Sequence, residues 1–331
     1  MAVNGLNTTN YGGEVLEQTL TLATTGNELA GKGLIMVIPG VNSSMSIPRI
    51  KTSGMLQKRK EDPSKTDGKG DFTYSEKKLT PHDMMAFTLF NPRAFEHIWR
   101  QYQPTGDLVF RQLPANVQSI LLNELLKKVG EELGYAYING EYKAEGDAYL
   151  MDGILTQAAK DADVVKVKTA GTTMLQRLKE LRALALLRAS IPVTMRNNAN
   201  LRILMSVTDF DQYDDELTQL ANKGTAPTDI NQARYKGIKI EVLSQWPDSL
   251  IVATLCDSGM NGNLFAAVNL QDDENVIQID KWANASELYF FKMLMKADTQ
   301  IGFGEEFIAL DWRADGTFKP VQDDDQGTEK Q

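Results

Sequence analysis

The chain is poor in the residues that most often carry chemistry: one cysteine and two histidines in 331 positions. A single cysteine excludes an internal disulfide, and the setting SLIVATLCDS places Cys256 at the end of a buried strand, where a thiol packs rather than reacts. His82 and His97 stand neither in an H-E-x-x-H motif nor near the cysteine, which removes the common zinc constellations. No G-x-S-x-G elbow is present, so no serine–histidine arrangement is indicated either. Both histidines read as packing or surface residues of helix-like stretches around HDMM and FEHIW. Long apolar runs are also missing. GLIMVIPGV and LRALALLRA are too short or too interrupted to cross a bilayer, which takes about 20 apolar residues. The start, MAVNGLNTTNYGG, has neither the basic opening nor the apolar middle of a secretory signal, and the expectation is a protein made and kept in the cytoplasm. Cations are outnumbered, with 35 Lys and Arg against 44 Asp and Glu, a net charge of −9 and a pI near 5. A surface of that sign repels phosphate as a whole, which speaks against a nucleic-acid reader.

The remaining motifs are equally thin. DFDQYDDE spaces Asp209 and Asp211 like the start of a calcium loop, but Tyr213 takes the third ligand position and no glycine follows. A charged helix start accounts for it better. DDEN at 272–275 reads as a solvated turn. The glycines of GKG (31–33), NGN (261–263) and GFG (302–304) lack the lysine of a phosphate loop and the spacing of a dinucleotide turn, so they mark turns and close backbone approach. No pair among the 44 acids is singled out for hydrolysis. The expectation is a structural or interaction protein, not an enzyme, with no cofactor and no metal.

What is present is the balance of an ordinary globular protein, 42% hydrophobic and 24% charged, long enough for two domains or for one with large excursions. Residues 1–31 read as an arm. GLIMVIPGVNSSMSIPRI, over 33–50, is broken by Pro39, Gly40 and Pro48 and reads as an exposed or bulged strand leaving the body. DFTYSEKKL, over 71–79, alternates Phe72 and Tyr74 with polar neighbours and reads as the returning strand. Between them lies LQKRKEDPSKTDGKGDFTY, a charged tip on a long hairpin. Val117, Ile120, Leu121, Leu125, Val129 and Leu133 recur at three and four residues, predicting a helix over 114–136, with Pro114 near its first turn. GEYKAEGDAYLMDGIL reads as turns before the strand DVVKVKTAG. TTMLQRLKELRALALLRAS predicts a second helix, capped by Thr172 or Thr173 and stopped by Pro192. RNNANLRILMSV reads as a strand, DFDQYDDELTQLANKG as a helix closed by Gly224, and YKGIKIEVLSQWP and DSLIVATL as two strands. The stretch after CDSGMNGN is mostly strand with a bend at QDDEN, and DDDQGTEKQ is polar enough to be disordered. The fold class expected is α+β.

Arm, projecting hairpin, long helix, α/β section and returning strands occur in an order that resembles the major capsid proteins of tailed bacteriophages, the Hong Kong 97-type fold. The phrases VIPGVNSSMSIPRI, FTYSEKKLTPHDMM, LMDGIL, ASIPVTM, YKGIKIEVLSQWPDSLIVAT and GNLFAAVNLQDDENVIQID look like that family in phages of Bacteroidetes-type hosts. The resemblance implies an N-terminal arm over 1–31, an extended loop over 32–80 and the first part of a peripheral domain, with a spine helix over 114–136, over 81–170. An axial domain over 171–255, the second part of the peripheral domain over 256–320 and a flexible tail over 321–331 complete it. It further implies self-assembly into hexamers and pentamers of an icosahedral virion shell, built in the host bacterial cytoplasm, that encloses double-stranded DNA without sequence-specific binding. A separate scaffolding protein, a portal and decoration proteins are the implied partners, and no membrane is involved. Lys58, Arg59, Lys60, Glu61, Asp62, Lys65, Asp67 and Lys69 are then the subunit-interface residues of the extended loop, a mixed pattern suited to a matching neighbour. Lys65, Lys69 and Asn284 are the residues that an isopeptide cross-link of the kind some members form would use, though no spacing selects them. An encapsulin-like cellular shell of the same fold, or a ring-forming tail or adaptor protein, are the alternatives.

Overall fold

The computed structural model describes residues 9–10, 27–52, 54, 56–62, 64–70, 72–91, 115–146, 150–187, 195, 198–221, 233–269, 277–282 and 288–313. In chain order its strands are β1 (Thr9–Asn10), β2 (Met36–Pro39), β3 (Met45–Thr52), β4 (Phe72–Leu79), β5 (His82–Phe90), β6 (Val165–Lys168), β7 (Leu201–Met205), β8 (Arg234–Tyr235), β9 (Ile238–Val242), β10 (Leu250–Leu255), β11 (Leu264–Asn269), β12 (Ile277–Lys281), β13 (Tyr289–Ile301) and β14 (Ile308–Asp311). The helices are α1 (Glu28–Gly31), α2 (Ala115–Asn139), α3 (Ile154–Lys160), α4 (Met174–Leu187) and α5 (Val207–Ala221). The α+β class is the observed one.

Two six-stranded sheets organise these elements. The first runs β1-β12-β13-β11-β2, with β5 also paired to β13. At thirteen residues β13 is long enough to serve several partners: β5 lines one edge, while β12 and β11 follow one another along the other. Along β13, Phe291, Met293, Met295 and Ala297 alternate inward, the period-2 pattern of a sheet with one buried face. Against that face pack Leu126, Leu133, Ala136 and Tyr137 of α2 and Ile154, Leu155 and Ala158 of α3. At 25 residues α2 is about 37 Å long at 1.5 Å per residue, and Leu125, Val129 and Leu133 of its apolar stripe meet this core.

The second sheet runs β6-β14-β10-β7-β9-β8. Every residue of β10 is buried, because both faces are covered. Leu250 and Val252 join the first core, while Ile251, Ala253 and Leu255 join a second one with Met174, Leu178 and Leu181 of α4 and Tyr213 of α5. Strands β6 and β14 come from far apart in the chain and pair in parallel, so the sheet is not built from one continuous segment. Local caps fix the helices on it. Thr173 Oγ1 accepts from the Gln176 amide at 3.3 Å, and the Glu216 carboxylate of α5 accepts from the Met174 and Leu175 amides at 2.6 and 2.8 Å.

Three expectations are corrected. The run 33–50 is two strands: β2 lies in the first sheet, parallel to β11, and only β3 enters the hairpin. The HDMM stretch is strand β5, not helix. Met84 faces the core and Met85, Phe87 and Leu89 face outward, so both faces are apolar and the alternation that marks a strand is hidden. Within GEYKAEGDAYLMDGIL, the last residues open helix α3. His97, Pro114, Pro192, Gly224, Asn284, the bend QDDEN and residues 321–331 lie outside the described residues.

Candidate functional site

The hairpin strands pair in antiparallel register, Met45 with Leu79 through Thr52 with Phe72. This two-stranded ribbon has no core of its own. Pro48, Ile50, Tyr74 and Glu76 share one of its faces, since Pro48 pairs with Glu76 and Ile50 with Tyr74, and Ile50, Phe72 and Tyr74 are all exposed. An isolated ribbon is marginal in water, so this one depends on its root and on whatever covers its free face.

At the tip, Lys60 pairs with Asp67, whose carboxylate also accepts from the Ser64 amide at 2.9 Å and the Ser64 hydroxyl at 3.0 Å. The Lys60 ammonium, helped by Ser64, holds the Asp67 carboxyl below its ordinary value. Lys58, Arg59, Lys65 and Lys69 have no carboxylate partner among the described residues, and Glu61 and Asp62 have no cation partner among them. Over 58–69, five cations against three carboxylates leave the tip positive in a chain that is otherwise acidic.

The root is fastened by charge and packing together. Leu79 is fully buried with Val41, Phe265 and Ala267. Lys77 Nζ meets Asp161 Oδ2 at 2.7 Å, the Thr80 amide donates to Asp298 Oδ2 at 2.6 Å, and Gln300 Nε2 donates to the Lys78 carbonyl at 3.0 Å. Burial pushes the Asp298 carboxyl up to about 6, against the opposing pull of the Thr80 and Thr299 amides; Asp152 adds to the rise and Lys160 opposes it. Because the folded value lies above the unfolded one, the contribution of this carboxyl to stability is fully present below about pH 4 and is lost as the pH rises through about 6. Asp298→Asn should therefore be more stable than the parent by about 2 kcal/mol at neutral pH and indistinguishable from it near pH 4, as denaturant titrations at both pH values will show.

Beside the root, β5 carries an unusual outward face. Met85, Phe87 and Leu89 are 56%, 42% and 43% exposed, and Trp282 is 55% exposed. The Phe87 ring lies 5.9 Å from Trp282 and 6.2 Å from Phe290, forming an aromatic cluster on the solvent side of the sheet. Exposed aromatic side chains grouped in this way make the face a candidate interaction surface. No single residue pattern announced it, because Trp282 and the β5 residues are nearly two hundred positions apart and only the β13 register joins them.

The residues screened for chemistry fall elsewhere. Cys256 is buried just after β10, and burial pushes its thiol well above the ordinary range. Asp209 sits in the first turn of α5, where its amide bonds Ser206 Oγ at 3.1 Å and its carboxylate accepts from the Ser249 amide at 3.0 Å. His82 stacks on Tyr142 with ring centroids 3.8 Å apart. Among the described residues no three His, Cys, Asp or Glu side chains converge as metal ligands would, and no helix is long and apolar enough to cross a membrane.

No protein-family model matches the sequence, and no curated protein matches it. Solved structures share its fold. A chain of the satellite phage P4 procapsid including the size determination (Sid) protein superposes with a TM-score of 0.63 at 15% identity, over 92% of this chain and 93% of that one. The capsid of Myoviridae phage XM1 gives 0.52 at 10% identity, over 95% and 96%. The capsid of cyanophage P-SCSP1u gives 0.51 at 10% identity, over 94% and 90%. At these identities the likeness is one of fold: the chain has the tailed-phage major capsid protein fold, over nearly its whole length.

Proposed function

We infer that this chain is a structural major capsid protein that assembles with copies of itself into the icosahedral shell of a tailed-phage virion. The observation that carries the reading is the near-complete overlap, of both chains, with the P4 procapsid chain. Two surfaces support it, the free face of the ribbon and the aromatic face of β5, since each leaves apolar side chains in water that contact with a second copy would cover. On this reading residues 32–80 are the extended loop, 171–255 the axial domain, and the segments flanking the latter the two parts of a peripheral domain. The charged tip, Lys58 to Lys69, lies against an acidic patch of the neighbouring subunit. Subunits close rings of five and six, and many weak contacts act together through high effective concentration. A scaffolding protein, a portal and decoration proteins are the further partners, and the mainly acidic shell encloses DNA without reading it.

Electron microscopy and sedimentation of the purified chain, alone and co-expressed with phage scaffolding proteins, test this. Closed shells or capsomer sheets are expected in at least one preparation; small monodisperse material in all of them would overturn the reading. Reversing Lys58, Arg59 and Lys65 to glutamate should slow assembly about tenfold at low ionic strength, with the difference shrinking as salt screens the tip.

A further inference from the structure

At the far edge of the second sheet, β8 and β9 are joined by a two-residue turn, Lys236–Gly237, with φ of 45° and 86°. Two successive positive φ values make a tight hairpin turn whose first position favours Asn, Asp or Gly. A lysine there is held in a conformation that side chains other than these adopt at a cost, and such outliers gather where function requires the side chain.

The surroundings say what that requirement is. The turn borders a cavity of about 440 Å³. Five cations line it: Arg182 from α4, Arg202 from β7, Arg234 from β8, Lys236 from the turn and Lys239 from β9. The nearby acid is Glu241, which meets Lys239 Nζ at 2.7 Å and Arg202 Nε at 3.6 Å. Arg182, Arg234 and Lys236 have no carboxylate partner among the described residues. In a chain of net charge −9, three unneutralised cations around one cavity are not a consequence of composition. An anion in the cavity would supply the countercharge that the described residues do not.

We propose that this cavity binds a compact polyphosphate anion, free or as the triphosphate of a nucleotide. Cations supplied by four elements around a half-open cavity suit a compact group of negative oxygens, and guanidinium groups suit phosphate geometry in particular. A nucleic-acid backbone would instead need a stripe of cations along an extended surface, and the acidity of the rest of the chain repels a long polyanion.

Calorimetric titration of the full chain with inorganic tripolyphosphate is the test. Saturable binding that weakens with salt is expected, and ATP should compete for it. Lys236→Asn removes a charge while placing at this φ a residue that tolerates it, so the fold is kept. Its dissociation constant should rise about tenfold, the loss of one charge-assisted hydrogen bond. Arg234→Gln should behave alike, and Lys127→Gln on the exposed side of α2 should leave binding unchanged. Absence of saturable tripolyphosphate binding, equal affinity in the parent and both pocket variants, or binding of a single-stranded oligonucleotide where tripolyphosphate fails would each overturn the proposal.

Discussion

Replacing Phe87 and Leu89 together by aspartate should leave the subunit folded and remove large particles from its sedimentation profile. Both side chains lie on the solvent side of the sheet, so neither substitution opens a core cavity, and the cost to the fold should be limited to about 1–2 kcal/mol for the lost Phe87 contacts with Trp282 and Phe290. Assembly is another matter. Covering the exposed two-fifths of each side chain contributes about 1 kcal/mol, and an aspartate forced into the same contact adds the larger cost of an unpaired charge. A loss of at least about 3 kcal/mol per contact is a factor of more than about 100 in its equilibrium constant, repeated at every copy of the contact in a shell. Unchanged particles would show that this face looks outward in the assembly and that other surfaces hold it together.

The second large effect is on the fold itself. Gly153→Ala should destabilise the subunit by about 3 kcal/mol, although it deletes no contact. A Cβ at this position would lie 2.6 Å from the Gly140 amide nitrogen and 2.7 Å from the carbonyl oxygens of Ala136 and Ile138. These are backbone atoms at the end of α2, locked in place by the Gly153 amide and the Thr156 hydroxyl, which donate to the Gly140 carbonyl at 2.9 and 2.6 Å. Nothing there can swing aside, so α3 must be pushed off the helix it is docked against. Gly54→Ala, which meets nothing within 4 Å, is the control and should change stability by no more than about 0.5 kcal/mol. Denaturant titration of the two variants separates steric cost from any general effect of losing a glycine.

How much of this could be read from residues alone depends on how local each signal is. The ribbon was legible because its strands alternate apolar and polar positions and its tip is a run of charges, all within one segment. Helices α2, α4 and α5 carry their own apolar positions, and α4 its own cap. By contrast, β5 is apolar on both faces and so loses the period-2 signature, and α3 offers only three buried residues to a pattern search. The second sheet borrows β6 and β14 through pairing over more than a hundred residues, which leaves no trace in either strand. The two proposed contact surfaces share that difficulty. Phe87 and Trp282 meet only through β13, and the cations of the pocket are scattered between positions 182 and 239 of an acidic chain. Glu216 illustrates the same limit on a smaller scale: Thr173 was a foreseeable cap, whereas a carboxylate supplied by another helix was not.

On the β4 side the link between the ribbon and the body is only two residues long, Thr80 and Pro81, from the end of β4 to the start of β5. There is no slack in it, so the ribbon and β5 are mechanically in series. Tension applied along β4 meets Lys77, paired with Asp161, the Lys78 carbonyl, bonded by Gln300, and the Thr80 amide, bonded to Asp298, before it reaches His82, the first of nine residues in register with β13. Ladder hydrogen bonds lie across the strand axis, so the component of that tension directed along β5 is carried in shear by the whole ladder at once, not bond by bond as in peeling. The exposed tip is thereby anchored where the first sheet is hardest to pull apart, and a load received there is delivered to its longest strand.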